Sequence, residues 1–188
     1  MVETLRVNNL KKTYGGLEAV RGISFGVEEG SIFGLIGPNG AGKTTTFNII
    51  AGAEKPTEGT VLLNGEDITG LSTDSLYKIG LVRTFQLSHE YAKMTTLENL
   101  MVAASDQPGE KIFMNWFSPK SVADREKEVL GRALESLDFL GLTQVKNELA
   151  GNLSGGQKKL LELGRTMMTD AKLVLLDEPG AGVNPTLM

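Results

Sequence analysis

The 188-residue chain has no cysteine, one tryptophan and few aromatic residues, which make up 6% of the total. The absence of cysteine excludes disulfide bonds and thiolate metal sites, and it is compatible with a reducing compartment. No apolar run approaches the roughly 20 residues that a membrane-spanning helix needs. Residues 1–6 lack the apolar stretch of a signal peptide. We therefore expect any membrane role to depend on a partner protein.

Positive charge is also scarce, because the chain has 19 Lys and Arg residues but 23 Asp and Glu residues, which gives a net charge of −4. A surface that binds nucleic acid through its phosphates is usually basic. We therefore expect no nucleic-acid partner. The length allows one or two compact units with a sizeable core.

Glycine is abundant, with 23 residues, and one glycine-rich run fits the pattern G-x-x-x-x-G-K-[ST]. In such a loop the glycines bring backbone N–H groups close to the phosphates of a nucleotide. The lysine reaches the β- and γ-phosphates, and the hydroxyl that follows can ligate Mg²⁺. The predicted nucleotide-binding run is Gly37, Pro38, Asn39, Gly40, Ala41, Gly42, Lys43, Thr44 and Thr45, and by itself it leaves kinases, GTPases and helicases open.

The sequence on either side of this run predicts a strand, a loop and a helix. Residues 31–36 are predicted to form a buried strand, and residues 43–51 a helix whose N-terminus faces the anion. Further strands are predicted at residues 5–7, 19–25, 60–63, 79–85 and 173–176. Asn64-Gly65 is a strong turn signal after one of them.

The middle of the chain has a helical pattern. Val129, Ala133, Leu137 and Leu140 recur at helical spacing, and a second helix is predicted over residues 154–168. The apolar strand at residues 173–176 is typical of a parallel sheet that is covered on both faces. It ends in two acids, Asp177 and Glu178.

Three elements beyond the glycine loop decide the resemblance. They are Gln86 at the end of a predicted strand, the Asp177–Glu178 pair, and the run Leu153, Ser154, Gly155, Gly156 and Gln157. In this order they resemble the ATP-binding cassette (ABC) ATPases over essentially the whole chain. The resemblance implies an α/β fold with a P-loop NTPase (RecA-like) core, an antiparallel β subdomain and an α-helical subdomain. Residues 1–86 and 169–188 would form the core with the β subdomain, and residues 87–168 the helical subdomain.

The resemblance also implies roles for the polar residues. Asp177 would hold Mg²⁺ together with Thr44 and Gln86, and Glu178 would polarise the attacking water. Gln86 would contact both the metal and that water. A turn-capping role for Glu178 and a solvent-facing Gln86 remain open as alternatives.

The base and the second subunit complete the expected site. Tyr14 lies where the family stacks an aromatic ring on adenine, and Val20 would support the same base, although an ordinary strand-end tyrosine is the alternative. Ser154 is a natural helix N-cap. In the family this helix N-terminus faces the γ-phosphate that is held by a second ATPase subunit, identical or not. A single copy would then bind ATP but hydrolyse it poorly.

Finer strings, such as Arg83-Thr84-Phe85-Gln86, resemble the ATPase subunits of branched-chain amino acid importers, and urea, amide and lipopolysaccharide transporters share several of them. The resemblance implies permease subunits in the membrane, a periplasmic or extracellular solute-binding protein as an indirect partner, and a cytoplasmic position on the inner membrane face. A non-transport cassette ATPase and a non-hydrolytic ATP-binding module are the alternatives. The aromatic cluster at residues 112–117 is a candidate for partner contacts, and packing in the core of the helical subdomain is the alternative. His89 is a second candidate for a partner contact, and a solvated loop is the alternative.

Two departures from the family pattern stand out. Many members carry aspartate where this chain has Asn184, so we do not expect charge pairing across subunits there. The family's switch histidine follows the paired acids, and no histidine stands between Asp177 and Met188. We therefore expect the chain to be the first part of a longer subunit. These residues alone are expected to be poorly stable and at best weakly hydrolytic.

Overall fold

The computed structural model describes residues 3–84, 90–105, 116 and 119–177. They form two compact units. The first contains the described residues up to Arg83 together with Ala171–Asp177, and the second contains the described residues between Thr84 and Asp170.

The first unit contains a four-stranded antiparallel sheet, whose strands lie in the order β2 (Leu17–Glu28), β1 (Glu3–Tyr14), β3 (Glu58–Leu63) and β4 (Glu66–Asp67). The turn between the two longest strands contains Gly15, which has φ 58°. The predicted Asn64-Gly65 turn joins the last two strands, and both of its residues have positive φ.

A small parallel sheet and two helices complete this unit. Strands β5 (Leu81–Arg83) and β6 (Leu173–Leu175) pair in parallel, with Arg83 opposite Leu175. Helix α1 (Lys43–Ile50) follows the glycine loop, and helix α2 (Thr73–Lys78) begins at its N-cap Ser72. The helix predicted after the glycine loop is therefore confirmed.

One core joins these elements. Its buried side chains come from the antiparallel sheet, from α1 and α2, and from β5 and β6. The cluster comprises Leu5, Val7, Leu10, Val27, Ile49, Ile50, Ala51, Val61, Leu63, Ile68, Leu76, Leu81 and Leu175. The glycine loop at the start of α1 is thus attached to a helix whose far end is anchored in this core.

The prediction of a buried strand at residues 31–36 is wrong. This segment has no strand structure, and its side chains Ile32 and Ile36 are exposed. A strand must satisfy its backbone groups on a neighbour, and among the described residues β5 and β6 pair only with each other. Phe33 instead stacks on Phe25, with ring centroids 5.1 Å apart.

The second unit is helical. Helices α3 (Thr96–Met101), α4 (Pro119–Phe139) and α5 (Gly155–Met167) surround their own apolar core. The predicted helical pattern is confirmed for Val129, Ala133 and Leu137, which are at most 1% exposed, whereas Leu140 lies one residue past the end of α4 and is half-buried. Within the part of the chain that is described, no helix is both long and apolar enough to cross a membrane.

Candidate nucleotide-binding site

The glycine loop turns tightly before helix α1. Gly40 and Gly42 have φ 80° and 82°, a left-handed conformation that strongly favours glycine. The Lys43 ammonium folds back over the loop and donates to the carbonyl oxygens of Gly37 at 2.7 Å and Pro38 at 2.9 Å. Thr44 is exposed on the first turn of α1. The loop therefore holds a cation above its own backbone, next to a helix N-terminus.

Two features leave the N-terminus of α1 open to an anion. Its N-cap Gly42 has no side chain to accept from the first backbone N–H groups, and no acidic residue lies in the first turn. The unsatisfied N–H groups and the helix dipole then favour a negative charge at this end. The arrangement is typical of a phosphate-binding loop.

Gly42 also packs directly against strand β2. A Cβ added to this glycine would lie 2.3 Å from the carbonyl oxygen of Ala19 and 3.2 Å from Cγ2 of Val20. Val20, predicted to support the base, is itself buried at 4% exposure. The position of the loop therefore depends on a contact that only glycine permits.

Tyr14, the predicted adenine-stacking residue, lies at the end of β1. Its side chain is about half exposed, at 46%, and the Lys12 ammonium lies 5.0 Å from the ring centroid. The hydroxyl donates to Glu54. This hydrogen bond raises the pKa of Tyr14 and is the largest cause that lowers the pKa of Glu54, ahead of the hydrogen bond from Asn48. Tyr14 is thus about half exposed, with the Lys12 ammonium over its ring, while the hydroxyl is fixed.

Asp177, the predicted metal ligand, follows β6 and is paired with an arginine. Arg83 Nη2 donates to Oδ2 of Asp177 at 3.0 Å, and both side chains are largely buried. The other arm of Arg83 donates to Oδ1 of Asn48 on α1 at 2.7 Å. The structure therefore brings the phosphate-loop helix and the predicted metal ligand together through one guanidinium group.

The predicted signature residues lie in the second unit, at the start of α5. Ser154 is the N-cap and its side chain accepts from the backbone N–H of Gln157, while Oε1 of Gln157 accepts from the backbone N–H of Ser154 at 2.9 Å. Leu153 is buried, and a Cβ on Gly155 would meet nothing within 4 Å. The predicted N-cap is confirmed, and no acidic residue lies in the first turn of this helix either.

Several predicted positions lie outside the described residues. They are Gln86, Glu178, His89, Asn184 and residues 112–115 and 117 of the aromatic cluster; Trp116 is described and is exposed at 84%. Among the residues that are described, no three His, Cys, Asp or Glu side chains form a metal-binding group.

Sequence reasoning missed the polar residues that connect the site. Asn48, Glu54 and Arg83 lie between Tyr14 and Asp177, yet none was predicted as a site residue. One signal was available for Arg83, because a charged residue in the short strand Leu81–Arg83 must find a partner once it is buried. That partner is 94 positions away in the sequence, and only the fold identifies it.

Most of this chain matches one family of known proteins. The profile of the ABC transporter family matches residues 20–181. The chain belongs to this family. A probable branched-chain amino acid transport ATP-binding protein, LivG, of Archaeoglobus fulgidus is 45% identical over 190 residues, covering 99% of this chain and 71% of the relative.

Solved structures of ABC cassettes have the same fold as this chain. One ATP-binding cassette in its ADP conformation superposes with a TM-score of 0.78 at 40% identity, covering 100% of this chain and 73% of that one. A dimeric cassette in a post-hydrolysis state, bound to ADP and phosphate, gives a TM-score of 0.74 at 27% identity, with coverage of 97% and 77%. The predicted fold class and the predicted ABC ATPase function are both confirmed, as is the resemblance to branched-chain amino acid importer ATPases. This chain is therefore an ATPase that powers an ABC transporter.

Proposed function

We propose that this chain is the ATP-binding subunit of an importer for branched-chain amino acids or related small polar solutes. The name of the Archaeoglobus relative supports this substrate class, and the chain aligns with that relative over nearly its whole length. The proposal that the chain binds a nucleotide rests on the structure of the glycine loop. Lys43 lies over the loop at the start of a helix that has neither a side-chain cap nor an acidic residue in its first turn.

Different residues of the first unit bind different parts of the nucleotide. The loop N–H groups and Lys43 bind the phosphates, and the half-exposed Tyr14 stacks its ring on the adenine, with Val20 beside it. The Thr44 hydroxyl and the Asp177 carboxylate are hard oxygen donors, which is the ligand type that Mg²⁺ prefers. These residues therefore fit Mg²⁺, which when bound neutralises developing charge on the phosphates.

Catalysis needs two further side chains. We assign Glu178 as the base that polarises the attacking water, because it directly follows Asp177 in the chain. The Gln86 amide would bind the metal and orient the same water. General-base assistance of this kind contributes roughly 10²–10⁴-fold to a rate.

The second half of each ATP site would come from another ATPase subunit. The start of α5 offers backbone N–H groups, Ser154 and two glycines, with no acidic residue in the first turn. This composition favours a γ-phosphate that is bound in the loop of a second chain. The dimeric cassette bound to ADP and phosphate supports such an arrangement.

Membrane partners would convert ATP turnover into transport. Closure of the dimer on ATP and its reopening after hydrolysis would switch the permease subunits between two states. The ATPase would then lie on the cytoplasmic face of the membrane, held there by those permeases. An extracytoplasmic solute-binding protein would deliver the solute to the other side.

The test is the substitution Glu178→Gln in the subunit assembled with its permeases. We expect Mg-ATP to bind as in the wild type and to hold the dimer closed, while ATP turnover and uptake of radiolabelled leucine are lost. Glu29→Gln, the same change at an exposed turn, serves as the control and leaves both unchanged. Normal ATP turnover in Glu178→Gln would show that this residue is not the base.

A further inference from the structure

We propose that Arg83 is a positioning residue, which holds the Asp177 carboxylate in place relative to helix α1. The inference rests on the proposed function, because it concerns the Mg²⁺ site of the ATP complex. The proposed role of Arg83 involves no contact with nucleotide. It acts through Asp177 on one side and through Asn48 on the other.

The guanidinium group of Arg83 contacts two side chains at once. Its two terminal nitrogens reach Asn48 at 2.7 Å and Asp177 at 3.0 Å, and the side chains of Arg83 and Asp177 are only 14% and 11% exposed. The planar group has rigid geometry, so two simultaneous contacts fix the distance between their acceptors. Arg83 therefore links the helix that carries Lys43 and Thr44 to the end of the strand that carries Asp177.

The third nitrogen of the Arg83 guanidinium group, Nε, makes no comparable contact with the described part of the chain. The Nε atom of Arg83 is buried, and no acceptor among the described residues reaches it. A buried donor without a partner is destabilising.

The hydrogen bond from Arg83 engages one oxygen of the Asp177 carboxylate, Oδ2. A carboxylate has a second oxygen, which is able to accept from a metal-bound water. Carboxylates at metal sites are commonly oriented by such outer hydrogen bonds. The positive charge of Arg83 by itself opposes a second cation nearby, so a favourable effect on Mg²⁺ must come from orientation.

The same hydrogen bonds continue toward the adenine side. Asn48 Nδ2 donates to Oε1 of Glu54 at 2.7 Å, and Glu54 accepts from the Tyr14 hydroxyl. One continuous chain therefore joins the predicted adenine-stacking residue to the predicted metal ligand. Arg83 is its final link.

The test separates metal binding from nucleotide binding. Binding of a fluorescent ATP analogue to the full chain is measured in EDTA and then at increasing Mg²⁺ concentrations. For Arg83→Gln we expect the Mg²⁺ concentration at half-maximal effect to rise about 10-fold, the lower end of the range for outer-shell changes at metal sites. The affinity in EDTA should change less than twofold.

Two further variants keep the test informative. Arg83→Lys retains the charge but cannot hold both acceptors in one rigid plane, so we expect the same loss; it also replaces Arg83→Gln if that variant does not fold. Arg21→Gln on β2 is the matched control, because Arg21 is exposed and pairs only loosely with Glu18 at 3.8 Å. This control should titrate like the wild type.

Three results would overturn the inference. The first is an unchanged or tighter Mg²⁺ dependence in Arg83→Gln, which would mean that the charge, not the orientation, dominates. The second is an equal loss of ATP binding in EDTA, which would indicate a merely structural role. The third is a wild-type chain that does not bind ATP, and that result alone would also refute the proposed function.

Discussion

The contact between Gly42 and strand β2 makes a quantitative prediction about the phosphate loop. In Gly42→Ala the new Cβ would lie 2.3 Å from the Ala19 carbonyl oxygen, whereas ordinary contacts begin at 3.4 Å, so the loop and β2 would have to separate by about 1 Å. The left-handed backbone adds about 1–2 kcal/mol of strain for any residue with a Cβ. Misplacement of a reacting group by 1 Å can lower a rate by roughly 100-fold. We therefore expect ATP turnover to fall by about that factor.

Gly65→Ala is the matched control, because Gly65 has φ 84° in the β3–β4 turn but a Cβ there would meet nothing within 4 Å. Both variants place a Cβ at nearly the same positive φ, and only Gly42→Ala carries the clash. Thermal unfolding without nucleotide and equilibrium binding of a fluorescent ATP analogue separate the two effects. The reasoning is refuted if Gly42→Ala unfolds at the same temperature as Gly65→Ala and binds ATP like the wild type.

Two further predictions concern buried or fixed polar groups. The Tyr14 and Asn48 hydrogen bonds lower the pKa of Glu54 in the folded chain, so their stabilisation is present above the ordinary carboxyl pKa of about 4.3 and is lost as pH falls through the lower folded value. The difference in melting temperature between the wild type and Glu54→Gln should be constant from about pH 7 to 5 and shrink in more acidic buffer; a difference that persists at the most acidic pH would contradict it. Asn99→Ala should cost about 3 kcal/mol in urea unfolding, because this fully buried amide bonds both backbone groups of Tyr91. A loss of less than about 1 kcal/mol would show that these groups find other partners.

The sequence predicted those parts of the site that are governed by local chemistry. The glycine loop, the helix that follows it, the Asn64-Gly65 turn and the Ser154 N-cap each depend on residues a few positions apart. Glycine is required where φ is positive, and a serine hydroxyl before a helix caps it. Such rules operate without knowledge of the rest of the fold.

Pairing over long distances could not be predicted in the same way. Residues 31–36 have the composition of a buried strand, but composition does not say whether a neighbouring strand is present. The contacts of Arg83 with Asn48 and Asp177 join positions 35 and 94 apart in the chain. The hairpin of β1 and β2 is also much longer than predicted, since strand length depends on pairing across its full register.

The central claim, an ATP site shared between two chains, is tested most directly by mixing two defective variants. Lys43→Ala removes the loop cation but keeps the signature helix. Gly155→Asp keeps the loop but places a negative charge at the start of α5, where the added side chain meets no neighbour within 4 Å and an acidic residue favours the helix. Gly155→Asn, of similar size but neutral, is the control for the charge.

Each variant alone should be nearly inactive, whereas a mixed dimer contains one site with an intact loop and an intact signature helix. We predict that the ATP turnover of the mixture exceeds the sum of the two separate variants. Turnover equal to that sum would contradict a site that is built from two chains.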